Sequence, residues 1–415
     1  MSTFSYRNGE LHAEDVPLTA LAQRHGTPTY VYSRAMLESA FRRFDGAFGA
    51  LPHLVCYAVK ANSNLAVLDL FARMGCGFDV VSGGELSRVL AAGGDPARVV
   101  FSGVGKSAAD IGAAIAADIL CFNVESAAEL ERVAGIAARN GRRARISVRV
   151  NPDVDAGTHP YIATGLKSSK FGIAHLDALA LYRRAAALPS LEITGIDCHI
   201  GSQITDLGAC VEAAARVFEL VDLLAHEGIA LSHVDLGGGL GVRYRDESVI
   251  GVDDYAAAVR SALGARSQRL LFEPGRLLVA EAGVLLTRVE YLKPGSALNF
   301  AIVDAAMNDL LRPALYDAWH AVDPVHPRDT PAEAWEIVGP VCESADFLAR
   351  SRQLALASGD LLAIRTAGAY AMAMSSNYNT RPRACEVMVD GENVQVIRAR
   401  ERIEDLYASE RTLAR

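Results

Sequence analysis

No stretch of this 415-residue chain stays apolar for the ~18 residues that a membrane-spanning helix needs. The opening residues, Met1-Ser2-Thr3-Phe4-Ser5-Tyr6-Arg7, contain no apolar segment of the kind that directs secretion, so the expected location is the cytoplasm, with no membrane partner. Positive charge is not in surplus. With 41 Lys and Arg against 49 Asp and Glu, the net charge of -8 speaks against a general nucleic-acid binder. The seven cysteines are odd in number and none forms a C-x-x-C pair, which argues against a disulfide framework or a structural zinc site; no metal ligand set is expected. Cys56, Cys76, Cys121, Cys198, Cys210 and Cys385 read as small core residues, and Cys342 is set apart by its surroundings, Gly339-Pro340-Val341-Cys342-Glu343-Ser344. Internal repeats, low-complexity tracts and long disordered linkers are also missing.

What the chain does have is a regular alternation. With 51% hydrophobic and 22% charged residues it has the makeup of an ordinary globular protein. Apolar strand candidates fall at Leu54–Lys60, Gly77–Val81, Val99–Gly103, Ile119–Val124, Arg145–Asn151, Ile193–His199, His233–Gly237 and Leu270–Glu273. Helical segments lie between them, among them Asn64–Met74, Gly84–Ala92, Ser107–Ala116, Ser126–Arg139, Leu176–Leu188, Leu207–Glu227 and Val252–Ala265. Eight such units predict an α/β fold, a (β/α)8 TIM-like barrel over residues 35–278; a doubly wound open sheet is the alternative. Beyond Arg276 short alternating segments separated by turn signals predict a second, mostly antiparallel β domain. Residues 279–415 would build it together with residues 1–34, whose strand Pro28–Tyr32 follows a short helix, Leu18–His25. Ser33 is the expected cap of the next helix, and the tail from Arg400 to Arg415 reads as a solvated helix.

Polar residues gather where the barrel strands end, the face at which such barrels place their chemistry. Lys60 ends the first apolar run, a poor place for a lysine unless its amine is used. Asp79 and Ser82 follow the second strand, Arg149 and Asn151 close the fifth, and His199-Ile200-Gly201-Ser202 closes the sixth. Gly237-Gly238-Gly239 follows the seventh, where glycine lets backbone N–H groups approach phosphate oxygens, and Glu273-Pro274-Gly275-Arg276 follows the eighth. The long polar loop from Pro152 to Gly172, carrying Lys167, Ser168, Ser169 and Lys170, reads equally well as functional or as a solvated excursion.

Taken together, several motifs resemble the alanine-racemase-type, pyridoxal-phosphate-dependent decarboxylases, most of all the branch acting on diaminopimelate. They are Tyr57-Ala58-Val59-Lys60-Ala61-Asn62, His199-Ile200-Gly201-Ser202-Gln203, the triple glycine, Glu273-Pro274-Gly275-Arg276, Thr164-Gly165-Leu166-Lys167 with Lys170-Phe171-Gly172, Cys342-Glu343-Ser344-Ala345-Asp346 and Gly368-Ala369-Tyr370 with Ser375-Ser376-Asn377-Tyr378-Asn379. The resemblance spans nearly the whole chain. It implies pyridoxal 5'-phosphate as cofactor, held as a Schiff base on Lys60, with His199 stacked on its ring and Glu273 beside its pyridine nitrogen. A carboxylate there favours the cationic ring, which then acts as an electron sink. Asp79, Ser202, Gly238, Gly239, Gly275, Arg276 and Tyr370 complete the implied cofactor set.

The catalytic residues implied are Lys60, His199 and Cys342, the last as proton donor. Meso-diaminopimelate is the implied substrate. Arg312 suits its distal carboxylate, with Arg276, Tyr316 and Tyr370 assisting, and Glu343 suits its distal ammonium. The resemblance further implies a homodimer in which Cys342 and Glu343 act on the partner's cofactor. Ala345 departs from the glycine that many relatives carry, a difference of one methyl group. Ornithine, arginine or a carboxylated polyamine remain alternative substrates, and a racemase or a non-catalytic cofactor carrier remain alternative roles.

Overall fold

A computed structural model describes residues 3–155 and 169–414 of the chain. They divide into two compact units, Ala40–Arg243 with Glu247–Leu277, and Met1–Ser39 with Tyr244–Asp246 and Leu278–Arg415.

The first unit is a closed parallel barrel. Its strands are β1 (His53–Ala58), β2 (Gly77–Val80), β3 (Val99–Phe101), β4 (Cys121–Val124), β5 (Ala144–Asn151), β6 (Leu191–Asp197), β7 (His233–Asp235) and β8 (Arg269–Phe272). They pair in chain order; β8 returns to β1, and β4 pairs β5 to complete the circle. The open-sheet alternative is thereby excluded. Strands β2, β3, β4 and β7 are buried along their whole length, which is why they read as unbroken apolar runs. Helices cover the outside, and the chain signals where they start. Asn64, Ser82, Ser107, Ser126 and Asp206 each accept a hydrogen bond from a first-turn N–H group, a cap that contributes about 1 kcal/mol per helix. Several strands stop earlier than the apolar runs suggest. β1 ends at Ala58, and Lys60 lies on a single 3-10 turn, Val59–Ala61, just past it. His199 lies two residues beyond β6. Ladder pairing ends there, and these side chains are carried on the loops at the strands' C-terminal ends.

The second unit is built on a nine-stranded sheet. Thr29–Ser33 lies in its middle, antiparallel to Gly283–Lys293 and parallel to Cys385–Asp390, so the N-terminal strand does join the C-terminal sheet. Alternation along this strand is complete: Tyr30 and Tyr32 pack into one core with Leu285 and Val289, and Val31 into another with Val284 and Leu286. Ser33 Oγ accepts from Met36 N–H, as expected of a cap. Three features were not legible beforehand: the three-stranded sheet of Phe4–Arg7, Glu10–Ala13 and Val16–Pro17, and the strands Val322–Pro324 and Phe347–Leu354. The tail corrects its expectation. Among its described residues only Ile403–Leu406 is helical, with no side-chain cap and no buried residue, and a single exposed turn gains too little to propagate.

Candidate active site

Lys60 Nζ donates to Asp79 Oδ2 at 2.8 Å. Asp79 is fully buried at the register position opposite Ala58, while the lysine side chain is 36% exposed. A buried carboxylate thus holds the amine of a partly exposed lysine.

His199 is fixed by the glycine run. Its Nδ1 accepts the Gly238 N–H at 3.1 Å, so the hydrogen of the neutral ring sits on Nε2. Burial, then the positive charges of Arg149 and Lys60, push its pKa well below the usual histidine value, leaving an uncharged ring. The glycines are required by contact. A Cβ on Gly238 would lie 2.0 Å from the Glu273 carbonyl oxygen, and one on Gly239 would lie 2.2 Å from that of Gly201. Gly275 packs onto the end of β1, where a Cβ would meet those of Ala61 and Ala58 at 3.0 and 3.1 Å. The next residue, Arg276, is buried and donates from Nη2 to Ser202 Oγ at 3.1 Å.

Glu273 anchors the interior. It is 4% exposed, and Oε1 faces Ser102 Oγ and Asn123 Nδ2, each at 3.4 Å. One carboxylate oxygen from each of Glu273, Asp197 and Asp235 lies within 4.8 Å of the others. Burial first, then mutual repulsion, raises the Glu273 and Asp197 carboxyls well above the ordinary range. Asp235 is pushed up to about 7, chiefly by burial. Arg149, the register partner of Asp197, offsets part of this charge and also meets Glu125 at 3.2 Å. Neither Asp197 nor Asp235 belongs to a local motif. The available signal was an acidic residue closing an otherwise apolar strand, which burial makes costly.

The remaining expected residues belong to the second unit. Arg312 opens the short helix Arg312–Tyr316, is 6% exposed, and lies over the Tyr244 ring at 4.4 Å. Tyr316 ends that helix and is half-buried. Cys342 is exposed, whereas Cys56, Cys76, Cys121, Cys198 and Cys385 are buried and Cys210 nearly so. Its N–H donates to Asn379 Oδ1 at 3.1 Å, and a hydrogen bond to the neighbouring Glu343 raises the Tyr378 phenol. Tyr370 is held at φ 53°, a left-handed conformation that a bulky residue rarely adopts and that concentrates at functional sites. Of the Pro152–Gly172 loop, Lys167 and Ser168 lie outside the described residues, as does Thr164-Gly165-Leu166. At its described end, Gly172 N–H donates to Glu125 Oε2 at 3.1 Å, and Arg149 lies over the Phe171 ring.

Residues 34–280 match the family model described as pyridoxal-dependent decarboxylase, pyridoxal binding domain. The chain belongs to this family. As a pyridoxal-dependent decarboxylase it is similar along its full length to proteins named diaminopimelate decarboxylase. It is 60% identical over 413 residues to that of Pseudomonas aeruginosa and 55% identical over 415 residues to that of Vibrio cholerae, each comparison covering 100% of both chains. Among solved structures, that of diaminopimelate decarboxylase from Helicobacter pylori complexed with L-lysine superposes with a TM-score of 0.92 at 44% identity, covering 95% of this chain and 99% of that one. The one from M. jannaschi gives 0.95 at 37% identity, covering 99% and 98%.

The barrel of this decarboxylase fits the cofactor its family uses. Asp79 Oδ1, both oxygens of Asp197 and Asp235 Oδ2 are buried without a hydrogen-bond partner. A low-dielectric cluster so rich in carboxylate favours a cation, which a protonated pyridine nitrogen supplies. Arg276 and Ser202 bring a guanidinium and a hydroxyl together, and Gly239 packs against the adjoining Gly201, a set of groups that a phosphate can take.

Proposed function

We propose that this decarboxylase removes the carboxylate from the D-configured carbon of meso-2,6-diaminopimelate, giving L-lysine and CO2, the last step of lysine biosynthesis. What carries the reading is full-length identity of 55–60% to proteins of that one activity. When bound, pyridoxal phosphate accepts the electron pair left on the α-carbon as CO2 departs.

The chain's residues divide the remaining work. Lys60 would hold the cofactor covalently, with Asp79 orienting its amine. Glu273 would sit beside the ring nitrogen, and its buried acidic neighbours make a cation there favourable. The uncharged His199 ring would lie on the cofactor's face. Ser202, Gly238, Gly239, Gly275, Arg276 and Tyr370 would bind the phosphate end. Cys342 would deliver a proton to the α-carbon from Sγ. At the far end of the substrate Arg312 would grip the carboxylate, with Arg276, Tyr316 and Tyr370 beside it, and Glu343 would face the ammonium. The exposure of Cys342 and Glu343 supports a site completed by a second copy of the chain, because proton delivery to carbon works best where water is excluded. We place the enzyme in the cytoplasm as a homodimer.

The test is a substrate panel on purified, cofactor-loaded protein, following CO2 and amine product from meso-diaminopimelate, LL-diaminopimelate, ornithine, arginine and carboxynorspermidine. Lysine from the meso isomer alone is expected. Turnover of ornithine or arginine instead would overturn the assignment of Arg312 and Glu343 while leaving fold and cofactor intact.

A further inference from the structure

Eight residues after Arg312 the chain carries His320, fully buried and marked by no motif. Its Nε2 lies 2.8 Å from Arg312 Nη1, and its Nδ1 lies 2.8 Å from the Arg365 carbonyl oxygen. These two contacts set the ring's hydrogens. A carbonyl oxygen can only accept, so Nδ1 carries the hydrogen; a guanidinium N–H can only donate, so Nε2 presents its lone pair. The ring is therefore a one-way link from a backbone carbonyl to a guanidinium.

The anchor is rigid. Arg365 N–H donates to the Ala321 carbonyl at 2.8 Å, continuing the pairing of Val322–Pro324 with Leu361–Ile364. Arg352 Nη2 donates to the His320 carbonyl at 2.8 Å. Tyr244 closes the arrangement, with its face under the Arg312 guanidinium at 4.4 Å and its ring edge-on to His320 at 5.3 Å. A long arginine side chain normally has many rotamers, and ordering it at the moment of binding costs affinity. Here the hydrogen bond to His320 and the face of Tyr244 act to order it in advance.

We propose that His320 is a positioning residue for substrate selection: its Nε2 lone pair, oriented by the Arg365 carbonyl, holds Arg312 in the pose that receives the distal carboxylate. This rests on the reading of Arg312 given above. The carboxylate at that end does not react and is kept in the product, so the proposal assigns the link to binding that is the same in the ground and transition states, the case that a raised KM with unchanged kcat reports. The product L-lysine keeps the same distal head; cadaverine lacks the carboxylate and is the matched control.

The experiment compares the holoenzyme with its His320→Ala, His320→Gln and Arg312→Lys variants, measuring KM and kcat with diaminopimelate and, by calorimetry, the affinity for L-lysine and cadaverine. Expected for His320→Ala is a rise of about 10-fold in KM and in the L-lysine Kd, with kcat and the cadaverine Kd within about 2-fold of the parent. Glutamine, whose side-chain oxygen can take the place of Nε2, should recover most of the loss. Unchanged KM and L-lysine affinity in His320→Ala, alongside a clear loss in Arg312→Lys, would overturn the role of His320 and leave Arg312's standing. No loss in Arg312→Lys would instead remove the carboxylate-binding reading itself. If His320→Ala does not fold, His320→Gln decides: near-parental KM supports the link, and a KM raised 10-fold with a normal melting temperature overturns it.

Discussion

The two units hold their candidate groups in opposite ways. In the barrel, Asp79, Asp197, Asp235 and Glu273 are all sunk below the surface, and Lys60 meets this acidic interior through Asp79. In the β unit, Cys342 and Glu343 stand exposed on a loop, tied down by Asn379 and by Tyr378. Desolvation does the first kind of work, because charges removed from water interact strongly and shift one another's protonation. On the proposed reading the second kind of group must be covered before it works, since a proton donor open to water competes with the solvent. On that reading the barrel's cofactor-binding groups are buried in place, whereas proton delivery from Cys342 waits on whatever covers the β unit's loop.

This contrast can be broken by experiment. Lys60→Ala is expected to have the largest effect, lowering turnover by about 10⁴-fold and removing the absorbance of bound cofactor. Retained turnover would contradict the assignment of the lysine. Cys342→Ala should lower kcat by about 10²- to 10³-fold while cofactor affinity, followed by fluorescence titration, stays unchanged. Equal loss of cofactor and rate would mean that the two units do not divide the labour as described, and an undiminished rate would remove Cys342 from the mechanism.

Asp235→Asn should give the smallest effect, and in the opposite direction. The Asp235 carboxyl is raised from 3.8 to about 7 in the folded chain, so folding favours its neutral form. Above the unfolded value the charged group costs stability, and the cost grows until pH passes the folded value near 7. The apo variant should therefore melt a few degrees above the parent at pH 8, and the gain should shrink toward pH 4. A lower melting temperature at pH 8 would show that the buried cluster stabilises the barrel.

The sequence determined a good deal. Lys60, His199, the glycines and Glu273 are legible because each sits in a short motif at the end of an apolar run, and a parallel barrel brings all such ends to one face. Some helix starts were equally readable, where a capping side chain marks them, as at Asn64, Ser82, Ser107, Ser126 and Asp206. Chain order alone could not show which strand ends meet. Asp197, Asp235 and Glu273 converge only because β6, β7 and β8 are neighbours in a closed sheet, where register sets side chain against side chain. His320 needed more: a ring whose two nitrogens touch an arginine eight residues away and a carbonyl forty-five residues away is ordinary in sequence. The polar strand Phe347–Leu354, with Arg350 and Arg352 within it, shows the same limit, since its pairing with Glu333–Val338 outweighs its weak apolar pattern. Local chemistry is written residue by residue, but contact between distant residues follows from backbone pairing and closure, which are properties of the folded chain.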